Sequence, residues 1–117
     1  FEYFPEVGFV YLLRRKDGLI KIGRTTDIRR RLNTLGLKYG TLSIIRIIRC
    51  VHLPICESHF HLAFSDFRIE GEWFDLPEDY EKEINAEEEK QERIIHLLEN
   101  EIGSLFIKLP RSEQERV

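Results

Sequence analysis

Apolar and polar positions change period several times along the chain, and each change marks an element. Residues 9–14 open with Phe9, Val10, Tyr11, Leu12 and Leu13 in a row, which predicts a strand. Lys16-Asp17-Gly18 is a turn signal, and residues 19–25 predict a second strand. Loop length decides which side chains share a face. A two-residue Asp-Gly loop would pair Tyr11 with Arg24 and set Lys21 on the opposite face from Tyr11. A three-residue loop ending on Gly18 in the left-handed conformation pairs Tyr11 with Gly23 instead. The second register is preferred. It collects Val10, Leu12, Ile20 and Ile22 on one apolar face and leaves Tyr11, Lys21 and Gly23 on the other.

Asp27 reads as the N-cap of a short helix ending at Gly36, with Ile28, Leu32 and Leu35 as its apolar stripe. Arg30 points away from that stripe, Arg29 stands to one side, and Arg31 borders it and can lean over the sheet. The β-branched run at residues 42–51 predicts a third strand. Residues 55–67 predict a second helix that buries Cys56, Phe60, Ala63, Phe64 and Phe67. Glu57 and His61 lie i, i+4 at the edge of that stripe, so their side chains reach one spot. A short extended piece at 71–76 carries Trp73 and Phe74, which read as core closure. Pro77 then opens a long helix from Glu78 to about Gly103. Its front half reads as charged all round, and Ile94, Ile95, Leu97, Leu98 and Ile102 form an apolar patch near its end. Residues 105–109 are expected to form a last short strand, with loose residues after it.

With 117 residues, 42% hydrophobic and 33% charged, the chain fits one soluble domain with a real but modest core. No apolar run approaches the ~20 residues needed to span a bilayer, so no membrane role is expected. Phe1-Glu2-Tyr3-Phe4-Pro5 has no basic stretch leading into an apolar one, so it does not read as a signal peptide. Because the chain does not open on Met, a fragment or processed form is expected. Cys50 and Cys56 are the only cysteines and cannot build a disulfide framework, so a reducing cytoplasm is the expected compartment. The net charge of −3 hides an asymmetry. Residues 1–74 carry 12 Lys and Arg against 8 Asp and Glu, whereas residues 75–117 carry 6 against 13. A phosphate-binding surface therefore belongs on the front part, and the acidic back suits a solvated helix or a contact with a basic partner.

Hydrolysing a phosphodiester needs a base or positioner for water, positive charge on the non-bridging oxygens, a divalent metal, and a carboxylate to hold it. Tyr11, Lys21, Arg31 and Glu57 could supply the protein's share from separate elements. Each also has a plainer reading: a packed strand Tyr, a solvated Lys, a helix-surface Arg and a simple i, i+4 helix pair of Glu57 with His61. His52 and His59 read as surface; Glu72 could be a second metal ligand, but its preferred reading is a solvated loop carboxylate.

Five short pieces in order carry a resemblance. Gly8-Phe9-Val10-Tyr11 resembles the first element of the GIY-YIG nuclease superfamily, and Lys21-Ile22-Gly23 resembles its second, ten residues after Tyr11. Arg24-Thr25-Thr26-Asp27-Ile28-Arg29-Arg30-Arg31-Leu32 resembles the turn and helix that carry the family Arg, here Arg31. Glu57-Ser58-His59-Phe60-His61-Leu62-Ala63-Phe64 resembles the helix with the metal-binding Glu. Gly71-Glu72-Trp73-Phe74 resembles the closing motif of a phage-type branch that also prefers Lys in the second element. The match covers residues 8–76. It implies an α/β (α+β) fold: a small three-stranded antiparallel sheet flanked by helices, followed here by an acidic C-terminal helix. Residues 1–76 are then the catalytic core, and residues 77–117 an acidic helix and tail packed on it or binding a partner.

The resemblance implies a metal-dependent DNA endonuclease with one divalent ion, Mg²⁺ or Mn²⁺. By that carry-over Glu57 holds the metal, Tyr11 positions or deprotonates water, Arg31 stabilises charge on the phosphate, and Lys21 replaces the family's second Tyr. Which of Tyr11 and Lys21 is the base stays open, since phenol and ammonium both have reference pKa values of about 10. Gly23, Arg24, Arg29 and His61 are the expected substrate contacts. The family's late Asn has no counterpart here. The basic excess is small, so sequence specificity is expected from another domain, fused or separate. Two rival readings are a non-catalytic nucleic-acid-binding module on the same scaffold, and a protein-interaction domain that uses the C-terminal helix. The sequence does not fix the oligomeric state.

Overall fold

The computed structural model describes residues 6–101. β1 (Gly8–Arg14) and β2 (Ile20–Thr25) form a hairpin with Tyr11 opposite Gly23, the register expected from the loop. Arg15 N donates to Leu19 O at 2.8 Å and Gly18 N to Arg15 O at 2.9 Å, so Lys16-Asp17-Gly18 is the loop. Gly18 has φ 96°, a left-handed conformation that a Cβ would oppose.

α1 (Ile28–Tyr39) starts where Asp27 Oδ1 accepts the Arg30 N–H at 3.2 Å. It runs past Gly36, where the sequence placed its end. A mid-helix glycine costs only ~1 kcal/mol. Tyr39 gains an edge-on contact with Trp73 at 5.1 Å, and Gly40, with φ 80°, is the residue that stops the helix. β3 (Ser43–Cys50) pairs with the other side of β1.

α2 (Leu53–Ala63) begins before residue 55, since Pro54 suits a first turn, and gives way to a single 3-10 turn at Ser65–Phe67. That early stop changes which side chains face inward. Cys56, Phe60 and Phe64 are buried as expected, whereas Ala63 is exposed and Phe67 is 37% exposed.

The sheet has five strands, not three, in the order β3-β1-β2-β5-β4 and antiparallel throughout. The two extra strands are short: β4 (Arg68–Glu70) and β5 (Trp73–Phe74), joined through Gly71 at φ 56°. All three β4 residues are exposed, so no alternation marked that strand in the sequence.

The sheet packs on both faces. Val10, Leu12, Ile20, Ile22 and Ile48 meet Cys56 and Phe60 of α2 and Phe64 just past its end, while Tyr11 and Leu13 meet Ile28, Leu32 and Leu35 of α1 on the opposite face. α3 (Tyr80–Glu101) completes the first core through Ile84, which is fully buried. Its front half is therefore not charged all round. Tyr80, Ile84, Glu87, Gln91, Ile95 and Leu98 step along one inward stripe at helical spacing. Glu87 and Gln91 are buried but satisfied: Gln91 donates to Glu87 at 2.9 Å and accepts the Val51 N–H at 3.1 Å. The patch near the helix end packs back on the chain through Ile94, Ile95 and Leu98 against Val7 and Val51, leaving Leu97 exposed. Ile102, the helix end at Gly103 and the strand expected at 105–109 lie outside the described residues.

Both cysteines are free thiols, with Cys50 Sγ donating to Cys56 Sγ at 2.7 Å. Among the described residues no helix is long and apolar enough to cross a membrane.

Candidate active site

The site forms where β2 outruns its neighbour. β5 pairs with β2 only at Ile20 and Lys21. Ile22 N still donates to Glu72 O at 3.0 Å, and the Ile22 carbonyl takes its hydrogen bond from a side chain, His61 Nε2 at 2.9 Å. α2 thereby reaches the sheet edge with the polar end of its buried stripe. His61 and Glu57, one turn apart, stand beside groups that project from the α1 face.

Tyr11 comes from that face. Gly23 lies opposite it, and a Cβ there would overlap the Tyr11 hydroxyl and sit 2.5 Å from its Cζ. A glycine at this position is therefore what lets the phenol lie across β2 toward the edge. Arg31, from the second turn of α1, donates from Nη1 to the Tyr11 oxygen at 3.2 Å. Tyr11 itself is fully buried, and Arg31 is the exposed group that covers it.

The charged groups are paired within the site. Lys21 Nζ is 3.0 Å from Glu72, and Arg24 Nε is 3.6 Å from Glu57. His61 Nε2 is 3.8 Å from the other Glu57 oxygen. Ligand atoms from Glu57, His61 and Glu72 all lie within 4.8 Å of one another, close enough to share one cation. Two carboxylates suit a hard divalent ion such as Mg²⁺ or Mn²⁺. His61 is the poorer donor of the three, because a carbonyl can only accept and the Nε2 proton is already spent on Ile22 O.

Burial and the neighbouring Glu72 charge raise the Glu57 pKa, and His61, Arg24 and Lys21 pull it only partly back. Burial also raises the Tyr11 pKa above the ordinary phenol value. Arg31 opposes that shift, and the charges of Glu72 and Glu57 add to it. The influence of both carboxylates on Tyr11 places the three groups in one electrostatic unit.

Of the sequence candidates, Tyr11, Lys21, Gly23, Arg24, Arg31, Glu57 and His61 are brought together. Arg29 is not: it is exposed, and no contact with a described residue ties it to the cluster. Glu72, which the sequence offered as a second metal ligand only behind a solvated loop carboxylate, joins the cluster. The signal was its place before Trp73, because the partner of Trp73 on β2 is Lys21. Trp73 and Phe74 are buried, so they close the core as expected. His59 is held by Glu83 of α3 at 2.7 Å, a contact between helices and not a bare surface position.

A five-stranded antiparallel sheet with helices on both faces, and a Glu-His-Glu cluster at its edge, defines a mixed α/β domain broadly like the GIY-YIG nucleases. The T5orf172 domain model matches residues 8–92, and the chain belongs to that family. The T5orf172 domain is related to the GIY-YIG nuclease superfamily. No curated protein and no solved structure matches the chain significantly.

Proposed function

We propose that this domain is a metal-dependent endonuclease that hydrolyses DNA phosphodiester bonds. The observation that carries the reading is the meeting of Arg31–Tyr11 from one sheet face with Glu57, His61 and Glu72 from the other side of the edge, in a T5orf172 domain. Glu57 and Glu72 would hold one divalent ion, Mg²⁺ or Mn²⁺, with His61 at its margin. Such an ion supplies Lewis-acid charge next to the phosphate.

The remaining chemistry belongs to the chain. Every cation of the site is capped by a site group in this structure: Arg31 by the Tyr11 oxygen, Lys21 by Glu72, Arg24 by Glu57. Once the two carboxylates are shared with a metal, Lys21 and Arg24 are freed to face phosphate oxygens. Arg31 leaving Tyr11 for the phosphate would uncover the phenol. With its pKa raised, Tyr11 stays protonated at neutral pH and orients water or a phosphate oxygen through its O–H. Lys21 enters as a point charge on the phosphate, in place of the family's second Tyr.

The test is plasmid nicking with Mg²⁺ or Mn²⁺, with and without EDTA, beside Glu57→Ala, Tyr11→Phe and Arg31→Ala. Each substitution is expected to lower cleavage at least ~10²-fold with the fold intact. Full activity in Glu57→Ala would remove the metal assignment.

The same ion pairs favour a second reading, a nucleic-acid-binding module without catalysis, because a carboxylate already neutralised by Arg or Lys needs no metal. Titration with Mn²⁺ separates them: the enzyme binds the ion in a way that Glu57→Ala abolishes, and the binding module does not.

A further inference from the structure

Two clefts each share a wall with the site, one through Arg31 and the other through Glu57 and His61, and each also holds an arginine that the site itself does not use. One cleft, of about 370 Å³, is lined by Thr25, Thr26, Asp27, Arg30, Arg31 and Thr34. The other, also about 370 Å³, is lined by Glu57, Ser58, His61, Leu62, Ser65 and Arg68. Arg31 is the Tyr11 contact and Glu57 and His61 belong to the metal candidate, so each cleft is walled in part by the proposed reaction centre.

From this we infer that the clefts are the two halves of a DNA-strand track, with Arg68 and Arg30 taking the phosphates on either side of the one that is cut. The inference rests on the endonuclease reading and adds the residues that seat the substrate.

Arg68 is built for the task. Its Nη1 donates to the Gly71 carbonyl at 2.6 Å, and its guanidinium lies 5.1 Å from the centre of the Phe74 ring. Those contacts hold the side chain at the cleft wall and pair it with no carboxylate among the described residues. Ser58 and Ser65 add hydroxyl donors to the same cleft wall. In the other cleft, Arg30 makes no ion pair with any described residue, and the Asp27 carboxylate there accepts the Arg30 N–H as helix cap. Both arginines are exposed, and a phosphate contact from either would add affinity in every sequence context.

The experiment is fluorescence anisotropy of a labelled DNA duplex on the intact chain in EDTA, repeated over a range of salt concentrations. Wild type is compared with Arg68→Ala, Arg68→Lys and Arg30→Ala, each checked for an unchanged unfolding midpoint. Each alanine variant is expected to bind three- to tenfold more weakly at low salt, with a log–log salt slope shallower by about 0.9. Arg68→Lys is expected to restore the slope, because the phosphate contact needs the charge, whereas the hold on Gly71 and Phe74 needs the guanidinium. Wild-type slope and affinity in Arg68→Ala would overturn the track while leaving the endonuclease reading in place. A wild-type chain that binds no duplex would take both down.

Discussion

Gly23 decides whether Tyr11 reaches the site at all. The phenol lies where a Cβ on Gly23 would be, so Gly23→Ala forces the ring off its rotamer or bends β2. Overpacking of this kind costs about 1–3 kcal/mol, which urea unfolding will read as a lowered midpoint. Cleavage should fall together with stability, because the ring that must move is the one Arg31 covers. A Gly23→Ala protein with wild-type stability would mean that the Tyr11 ring has room the geometry denies it. At this scale much of the site was legible in the sequence. The three-residue loop sets the hairpin register, and the register puts Tyr11, Lys21 and Gly23 on one face. The stripe of Ile28, Leu32 and Leu35 set the phase of α1 and so put Arg31, not Arg30, over the sheet. Glu72 was legible only as the less favoured of two readings, because nothing local shows that a loop carboxylate lies beside a strand Lys until β5 is paired to β2. Arg29 stands apart from the cluster because a run of three arginines on a helix spreads over more than one face, and only one of them could lean on the sheet.

The elements that the sequence blurred are those whose partners are distant in the chain. β4 shows no alternation because all of its residues are exposed, and β5 is only two residues long. Both exist as strands because β2 offers an edge. α3 misled for a different reason. Its buried stripe passes through Glu87 and Gln91, polar residues that count against burial in any hydrophobic pattern, and only Tyr80 and the fully buried Ile84 marked the stripe in the front half. That makes Ile84 the discriminating residue. Ile84→Ala empties a fully buried position between α3 and the α2 core and should cost about 2–5 kcal/mol. Leu97→Ala, on the same helix but exposed, should stay within about 0.5 kcal/mol. Thermal melts of the two variants decide whether α3 is part of the cooperative fold. Equal, small effects would make it an appendage. The apolar patch that suggested a partner-binding helix is largely consumed by Val7 and Val51, so the interaction-domain reading keeps little beyond Leu97 among the described residues.

On the scale of the molecule, the proposed chemistry and the stability of the fold pull against each other at Glu57. Its folded pKa is raised by burial and by Glu72, so the folded chain holds a proton at pH values where the unfolded chain has released it. The stability this contributes is fully present below the ordinary carboxylate pKa and is lost as pH rises through the raised one. At neutral pH the ionised carboxylate is therefore a destabilising presence. Glu57→Gln keeps the shape and removes the charge. Its stability relative to wild type should increase as pH goes from the acid side of that window to neutrality, measured by urea unfolding at a series of pH values. A divalent ion on Glu57 and Glu72 offsets the same cost, because a ligand that binds only the folded state stabilises it. Mg²⁺ or Mn²⁺ should accordingly raise the melting temperature of wild type and leave Glu57→Gln nearly unmoved. The rise should fade on acidification, since protons compete for the ligand carboxylate. If the melting temperature of wild type does not respond to either ion at neutral pH, the two carboxylates are neutralised by Lys21 and Arg24 alone, and the binding-module reading takes precedence.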